Sequence, residues 1–280
     1  MPTIPRSLLG VGDEQALAAV GFRPVREVFG AVANAVTPQG FYAAAPSQIG
    51  SPGTRTYQTY TSTNAPIAVG TPPTITALKN GYRTALSRLV DDATAAGADG
   101  VDDARLTLTT GEGAGTGLWT FLAVGTAIRS LGPTRPAKPF TTDLGGAQVA
   151  AAVRSGWLPV SLVVVPCMAI RQLDPTSSRQ LRRLAENTEV EAYTDLVNTV
   201  RHQTRQDFAA AARQARADGA VLSELDLELH LHGRVGVAEA TATARGTALL
   251  RFDPRAEPPR TLSILPLSRP RNAAAKGTMS

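Results

Sequence analysis

The chain has 280 residues, 43% of them hydrophobic, and a formal net charge of +5, which is enough length for about two domains with real cores. Its one cysteine, Cys167, excludes an internal disulfide framework and suits a reducing, cytoplasmic setting. The longest apolar run, 157–170, is broken by Pro159 and Pro166 and falls short of the ~20 residues of a membrane-spanning helix; no basic stretch followed by an apolar one opens the chain, so no secretory leader is expected.

The charge is unevenly placed. Residues 253–280 hold five basic residues (Arg255, Arg260, Arg269, Arg271, Lys276) and two acidic ones (Asp253, Glu257). That tail therefore carries +3 of the +5. The remainder is close to neutral, which argues against a nucleic-acid-binding body and leaves the tail as the basic element.

In chain order, Asp13 reads as the cap of a short helix through Ala19 that Gly21 ends. The motif GFRPV (21–25) then leads into an apolar strand toward Val36. Residues 37–74 are rich in Gly, Pro, Ser, Thr and Tyr, without periodicity, and read as a long mobile or partner-ordered loop. A helix is expected over Thr76–Ala96, then a hairpin of Ala104–Thr110 and Thr116–Arg129 around GEGAG (111–115). Residues 131–139 carry Gly132, Pro133, Pro136 and Pro139 and form a linker.

The plan then restarts. A short helix over Gly146–Ser155 precedes GWLPV (156–160) and the apolar strand SLVVVPCMAI (161–170). A long helix is expected over Glu189–Ala217, because Val190, Tyr193, Leu196, Val197 and Val200 recur at helical spacing and Gly219 supplies a stop. Next, Leu225, Leu227, Leu229 and Leu231 alternate with Asp226, Glu228, His230 and His232. Period two predicts a strand with leucines inward and charges outward. A second strand, Val237–Phe252, puts Ala238, Ala240, Ala242 and Ala244 on one face and Glu239, Thr241, Thr243 and Arg245 on the other. Matches of GFRPV to GWLPV, of GAD (97–99) to GAV (219–221) and of GTA (125–127) to GTA (246–248) fall in one order, the signature of an internal duplication.

These motifs, in this order, resemble the YbjQ-like family, whose members are often labelled heavy-metal-binding, in the actinobacterial form with two tandem repeats. The resemblance covers roughly 10–130 and 142–252. It implies an α+β fold of two tandem β-α-β-β repeats, similar to dodecin subunits, each an antiparallel sheet on a long helix. It also implies ring-like homo-oligomers, commonly pentamers. The expected organisation is a first repeat over 10–130 with the loop 37–74, a linker over 131–141, a second repeat over 142–252, and a disordered basic Pro-rich tail over 253–280. The chain departs from the family pattern at that loop, at the tail, and at DGAVLSE (218–224).

The candidate sites follow. His230 and His232, with Asp226 and Glu228 on the same strand face, have the donor types for a divalent metal such as zinc or copper. Cys167, in an apolar run, reads as a small buried hydrophobe. GEGAG joins two strands and lacks the helix N-terminus and Lys-Ser/Thr of a phosphate loop, and GVGDE (10–14) opens a helix. Leu118, Leu122 and Val124, with Thr120, form an apolar outer strand face suited to an oligomer contact. Leu262, Ile264, Leu265 and Leu267 form an apolar island in the tail that could dock a protein partner. No nucleophile, base and oxyanion donor fall together. The sequence points to a non-enzymatic ring- or shell-forming protein, with a metal or small-ligand binder using the histidine face, or a nucleic-acid-associated protein using the tail, as alternatives.

Overall fold

The computed structural model describes residues 9–36, 57–61, 66–70, 72–112, 117–133, 135–172, 191–232, 237–257 and 259–267. The fold over these residues is mixed α+β. The first half contains α1 (Val11–Ala18), β1 (Phe22–Val36), β2 (Tyr57–Thr61), β3 (Pro66–Gly70), α2 (Pro73–Ala95), β4 (Gly100–Glu112) and β5 (Gly117–Ser130). The second contains β6 (Phe140–Thr141), α3 (Gly146–Arg154), β7 (Trp157–Gln172), α4 (Glu191–Gln214), β8 (Gly219–His232), β9 (Val237–Arg251) and β10 (Leu265–Pro266).

Two sheets result, in the orders β1-β5-β4-β6 and β10-β8-β9-β7-β3-β2. Their strands pair antiparallel, apart from the short parallel pairing of β6 with β4. The halves share local devices. Gly21 and Gly156 take positive φ, 82° and 77°, a turn that glycine makes without a Cβ clash. The prolines that follow sit beside register slips, at Pro24/Arg26 and at Pro159/Ser161, where a missing ladder N–H is tolerated. Val28 then opposes Gly125 in one sheet and Val163 opposes Gly246 in the other.

The long helices end in the same way, α2 within a residue of expectation and α4 three residues before the expected Ala217. After α2, Gly97 has φ 64°; after α4, Arg216 has φ 60°. Beyond each, Asp99 and Asp218 accept the backbone N–H of Ser130 (2.8 Å) and Arg251 (3.0 Å). GADG (97–100) therefore corresponds to RADG (216–219), not to GAV (219–221), and Gly219 begins a strand. The N-terminal end expected for this helix, 189–190, lies outside the described residues.

α2 lies between the sheets. Ile75, Ala85, Leu89 and Ala93 pack on Val28, Val101, Phe121 and Ala123 of the first sheet. Its opposite side, with Tyr82, Leu86 and Val90, faces Leu162 and Val164 of β7. α4 covers the other face of the second sheet through Leu196, Val200, Phe208 and Ala212, packed on Ala238, Ala240, Ala242 and Ala244. β7 thus has a helix on each side, which is why its sequence is almost continuously apolar rather than alternating. Alanine on β9 lets α4 approach closely. A third core joins the halves through Leu17, Phe22, Ile128, Phe140, Leu144, Val149, Trp157 and Leu249.

Three further expectations are corrected. Gly10, not Asp13, is the N-cap of α1; the Asp13 carboxylate instead accepts the N–H of Ala147 at the start of α3 (2.8 Å). Part of the 37–74 segment is ordered: β2 and β3 form a hairpin, β3 pairs with β7, and α2 already begins at Pro73; 37–56 lie outside the described residues. The tail is packed as far as Leu267. β10 pairs with β8 at Gly219–Ala220, and Leu262 and Leu267 are buried; residues 268–280 lie outside the described residues.

Candidate functional site

Strand alternation decides what the outside of the first sheet looks like. Trp119, Phe121 and Ala123 on β5 point toward α2, so Leu118, Thr120, Leu122 and Val124 point away from it. Register places Phe29, Ala31, Ala33 and Ala35 of β1 beside them on one flank. Arg105, Thr107, Thr109 and Gly111 of β4 lie on the other. Phe29 is 61% exposed, Leu118 49% and Leu122 37%; Val124 is half-buried. Among the described residues, charge is confined to one end of this face, where Glu27 stands and where Arg105 is held by the Asp103 carboxylate (2.7 and 3.2 Å). Among the described residues, no element of the second half packs on this face.

The corresponding face of the second sheet is different. Glu239, Thr241, Thr243 and Arg245 are half-buried, and the neighbouring Leu162 and Met168 of β7 are buried in the α2 core. Arg245 pairs with Glu224, and its Nε lies 4.0 Å from Asp143. Burial raises the Tyr82 hydroxyl above its ordinary pKa, with Arg245 opposing and Asp226, Glu224 and Glu228 adding to the rise. This face therefore looks toward α2.

The leucines of β8 also depart from expectation. Leu225 packs in the core, but Leu227, Leu229 and Leu231 are 37%, 37% and 49% exposed. They stand opposite Ala242, Ala240 and Ala238, on the α4 side of the sheet. α4 covers β9 and the start of β8, and among the described residues nothing covers Leu227, Leu229 and Leu231. Among the described residues, the other edge of β8 is paired only at Gly219–Ala220, by β10.

The histidine face is exposed. Asp226, Glu228 and His230 all lie in solvent, and His230 Nε2 is 3.4 Å from Glu228 Oε2. His232 ends β8 opposite Val237, and its side chain lies outside the described residues. No group of three metal-ligating side chains converges among the described residues. Cys167 is buried, and burial pushes its thiol up to about 11, so it is a neutral packing group at neutral pH. The Gly113–Gly115 part of GEGAG lies outside the described residues, between β4 and β5. In the tail, Leu262 and Ile264 pack on the core between the halves, Leu267 packs beside Phe208 and Ala212, and Leu265 remains exposed.

One polar group was not singled out from sequence. Asp102 is fully buried, and neither carboxylate oxygen has a hydrogen-bond partner. Desolvation, with smaller contributions from Asp103 and Asp13, pushes its pKa up to about 8. Its only sequence signal was the pair of adjacent acids, Asp102–Asp103, in a strand.

No family model, curated protein or solved structure matches the chain.

Proposed function

We propose that this protein is a non-catalytic assembly protein, built from two tandem β-α-β-β units, whose copies associate through the outer face of the first sheet. The observation that carries this reading is the contrast between the two sheets. The second has a helix on both faces; the first has one on its inner face and an exposed Leu-Thr-Ala-Phe surface on the other. Apolar surface left in water costs about 25 cal/mol per Å². With charge confined to its end, the same patch on a second copy meets no like-charge opposition. The open edge of β8, with Leu227, Leu229 and Leu231, is a separate surface. Two separate surfaces allow growth beyond a dimer into a closed ring or shell. Shared register slips and helix ends support the tandem reading, and a ring agrees with the resemblance to the YbjQ-like family.

The test is mass photometry of the purified chain. The wild type is expected at a multiple of its 29.2 kDa above the dimer. Leu122→Arg combined with Phe29→Asp is expected to lower that mass, whereas Arg205→Ala on the exposed side of α4 should leave it unchanged. A monomeric wild type overturns the proposal.

A further inference from the structure

A cleft of about 620 Å³ lies where α2, α4 and β7 meet, within the size range of small-ligand sites. Its position follows from strand pairing. β7 pairs with β9 along its whole length, but on its other side, among the described residues, with β3 only over Met168–Arg171. The Val160–Val164 stretch therefore presents an open edge, and α2 stands beside it. The Leu162 N–H turns to this edge and donates to Thr141 Oγ1 (2.9 Å), so Val164, two residues on, directs its backbone polar groups the same way.

The lining has a definite chemistry. Leu86 and Val90 from α2, with Leu162 and Val164 from β7, make an aliphatic wall. Lys79, Arg83 and Lys138 also line the cleft, and no carboxylate does. Arg83 donates to Asn80 Oδ1 (2.9 Å); among the described residues, none of the three cations forms an ion pair. Lys79 is half-buried, while Arg83 and Lys138 are exposed; three positive charges round the mouth of an apolar cleft raise the local potential and repel one another. An anion relieves that repulsion, a neutral ligand does not, and a cation aggravates it. The aliphatic wall calls for a chain rather than a flat polar ring.

We infer that this cleft binds a small amphiphilic carboxylate, with its aliphatic chain along Leu86, Leu162 and Val164 and its carboxylate facing Lys79, Arg83 and Lys138. The full-length protein can be titrated by calorimetry with decanoate and decyltrimethylammonium below their micellar concentrations and with decanol below its solubility limit. Decanoate is expected to bind saturably, one per chain, with decanol at least tenfold weaker and the ammonium compound silent. Lys79→Glu with Lys138→Glu should weaken decanoate at least tenfold while leaving the circular dichroism spectrum unchanged. Leu86→Trp, which fills the cleft from its wall, should weaken decanoate and decanol alike. Decanol binding as tightly as decanoate, decanoate affinity unchanged in the double lysine variant, or no saturable heat with decanoate overturns the inference. Assembly by mass photometry is a separate readout and does not bear on it.

Discussion

Asp102 shows how one side chain can set a pH response. The strands of the two sheets correspond so that Asp102 opposes Thr126, while Val221 opposes Thr247. A carboxyl thus occupies in one sheet the place that a valine fills in the other. Thr247 bonds to Thr142 (2.8 Å) and Asp143 (2.5 Å), whereas the Thr126 hydroxyl is buried without a partner. Because the folded-state pKa of Asp102, about 8, lies above its unfolded value near 3.9, the folded protein binds the extra proton. Stability is then fully retained below about pH 4, falls as pH rises toward 8, and levels off above it. Urea denaturation of the wild type between pH 5 and pH 8.5 should show this decline. Asp102→Val should flatten it and be the more stable protein at pH 8.5, since an apolar group of similar size removes the desolvation cost. A wild-type midpoint independent of pH would count against it. Alternation could not reveal this site: the register slip between Asp102 and Arg105 breaks the period of two that tells inward from outward.

At the scale of elements, helices and long strands were legible wherever one periodicity ran unbroken. α2, β5, β7 and β9 fall within a few residues of expectation, because α2, β5 and β9 keep one face buried along their length and β7 is apolar almost throughout. Their ends were less legible, since Arg216 performs at the end of α4 the left-handed turn that Gly97 performs after α2. A non-glycine residue in that conformation costs roughly 1–2 kcal/mol. Arg216→Gly is expected to raise stability by about 1 kcal/mol, the glycine's larger unfolded-state entropy offsetting part of the gain. Chemical denaturation reads this directly, and a loss of stability would show that the arginine side chain holds the turn. The β2–β3 hairpin had no signal of its own. Tyr57–Thr61 and Pro66–Gly70 are short and lie in Gly-, Pro- and Ser-rich sequence, and β3 is a strand because β7 offers it an edge. The leucine alternation on β8 was visible, but its exposure was not, since exposure depends on how far α4 reaches across the sheet.

For the whole molecule, the tail is where composition and packing disagree most. Its prolines and basic charge suggested disorder, and the apolar island suggested a partner. The partner over residues 262–267 is the chain itself. Gly219 leaves a notch beside Trp157, where a Cβ would come within 2.7 Å of Ile264 and 2.9 Å of the indole. Leu267 donates its N–H to the Asp218 carbonyl (2.9 Å), and Arg213 Nε reaches the Leu267 carbonyl (3.2 Å). Burying two leucines at ~1.5–3 kcal/mol each means that ending the chain after Phe252 should cost roughly 3–6 kcal/mol. Leu262→Ser with Leu267→Ser should reproduce most of that loss. An unchanged urea midpoint for the shortened chain would show the packing to be incidental.

The sheets are completed by exchange. β3, from the first half, extends the second sheet through β7, and β6, from the second half, extends the first through β4. During synthesis, at ~5–20 residues per second, β3 emerges about a hundred residues before β7 and must wait for it, and the Gly100–Val101 edge of β4 waits in turn for Phe140–Thr141. Neither half reaches its final hydrogen bonding alone, so the nascent first half carries bare strand edges of the kind that recruit chaperones or pair wrongly. Cutting the gene between Leu131 and Gly132 should yield two fragments that aggregate when made separately and recover soluble, native-like complex when made together. Two soluble, independently melting fragments would mean that the exchanged strands are dispensable trimmings.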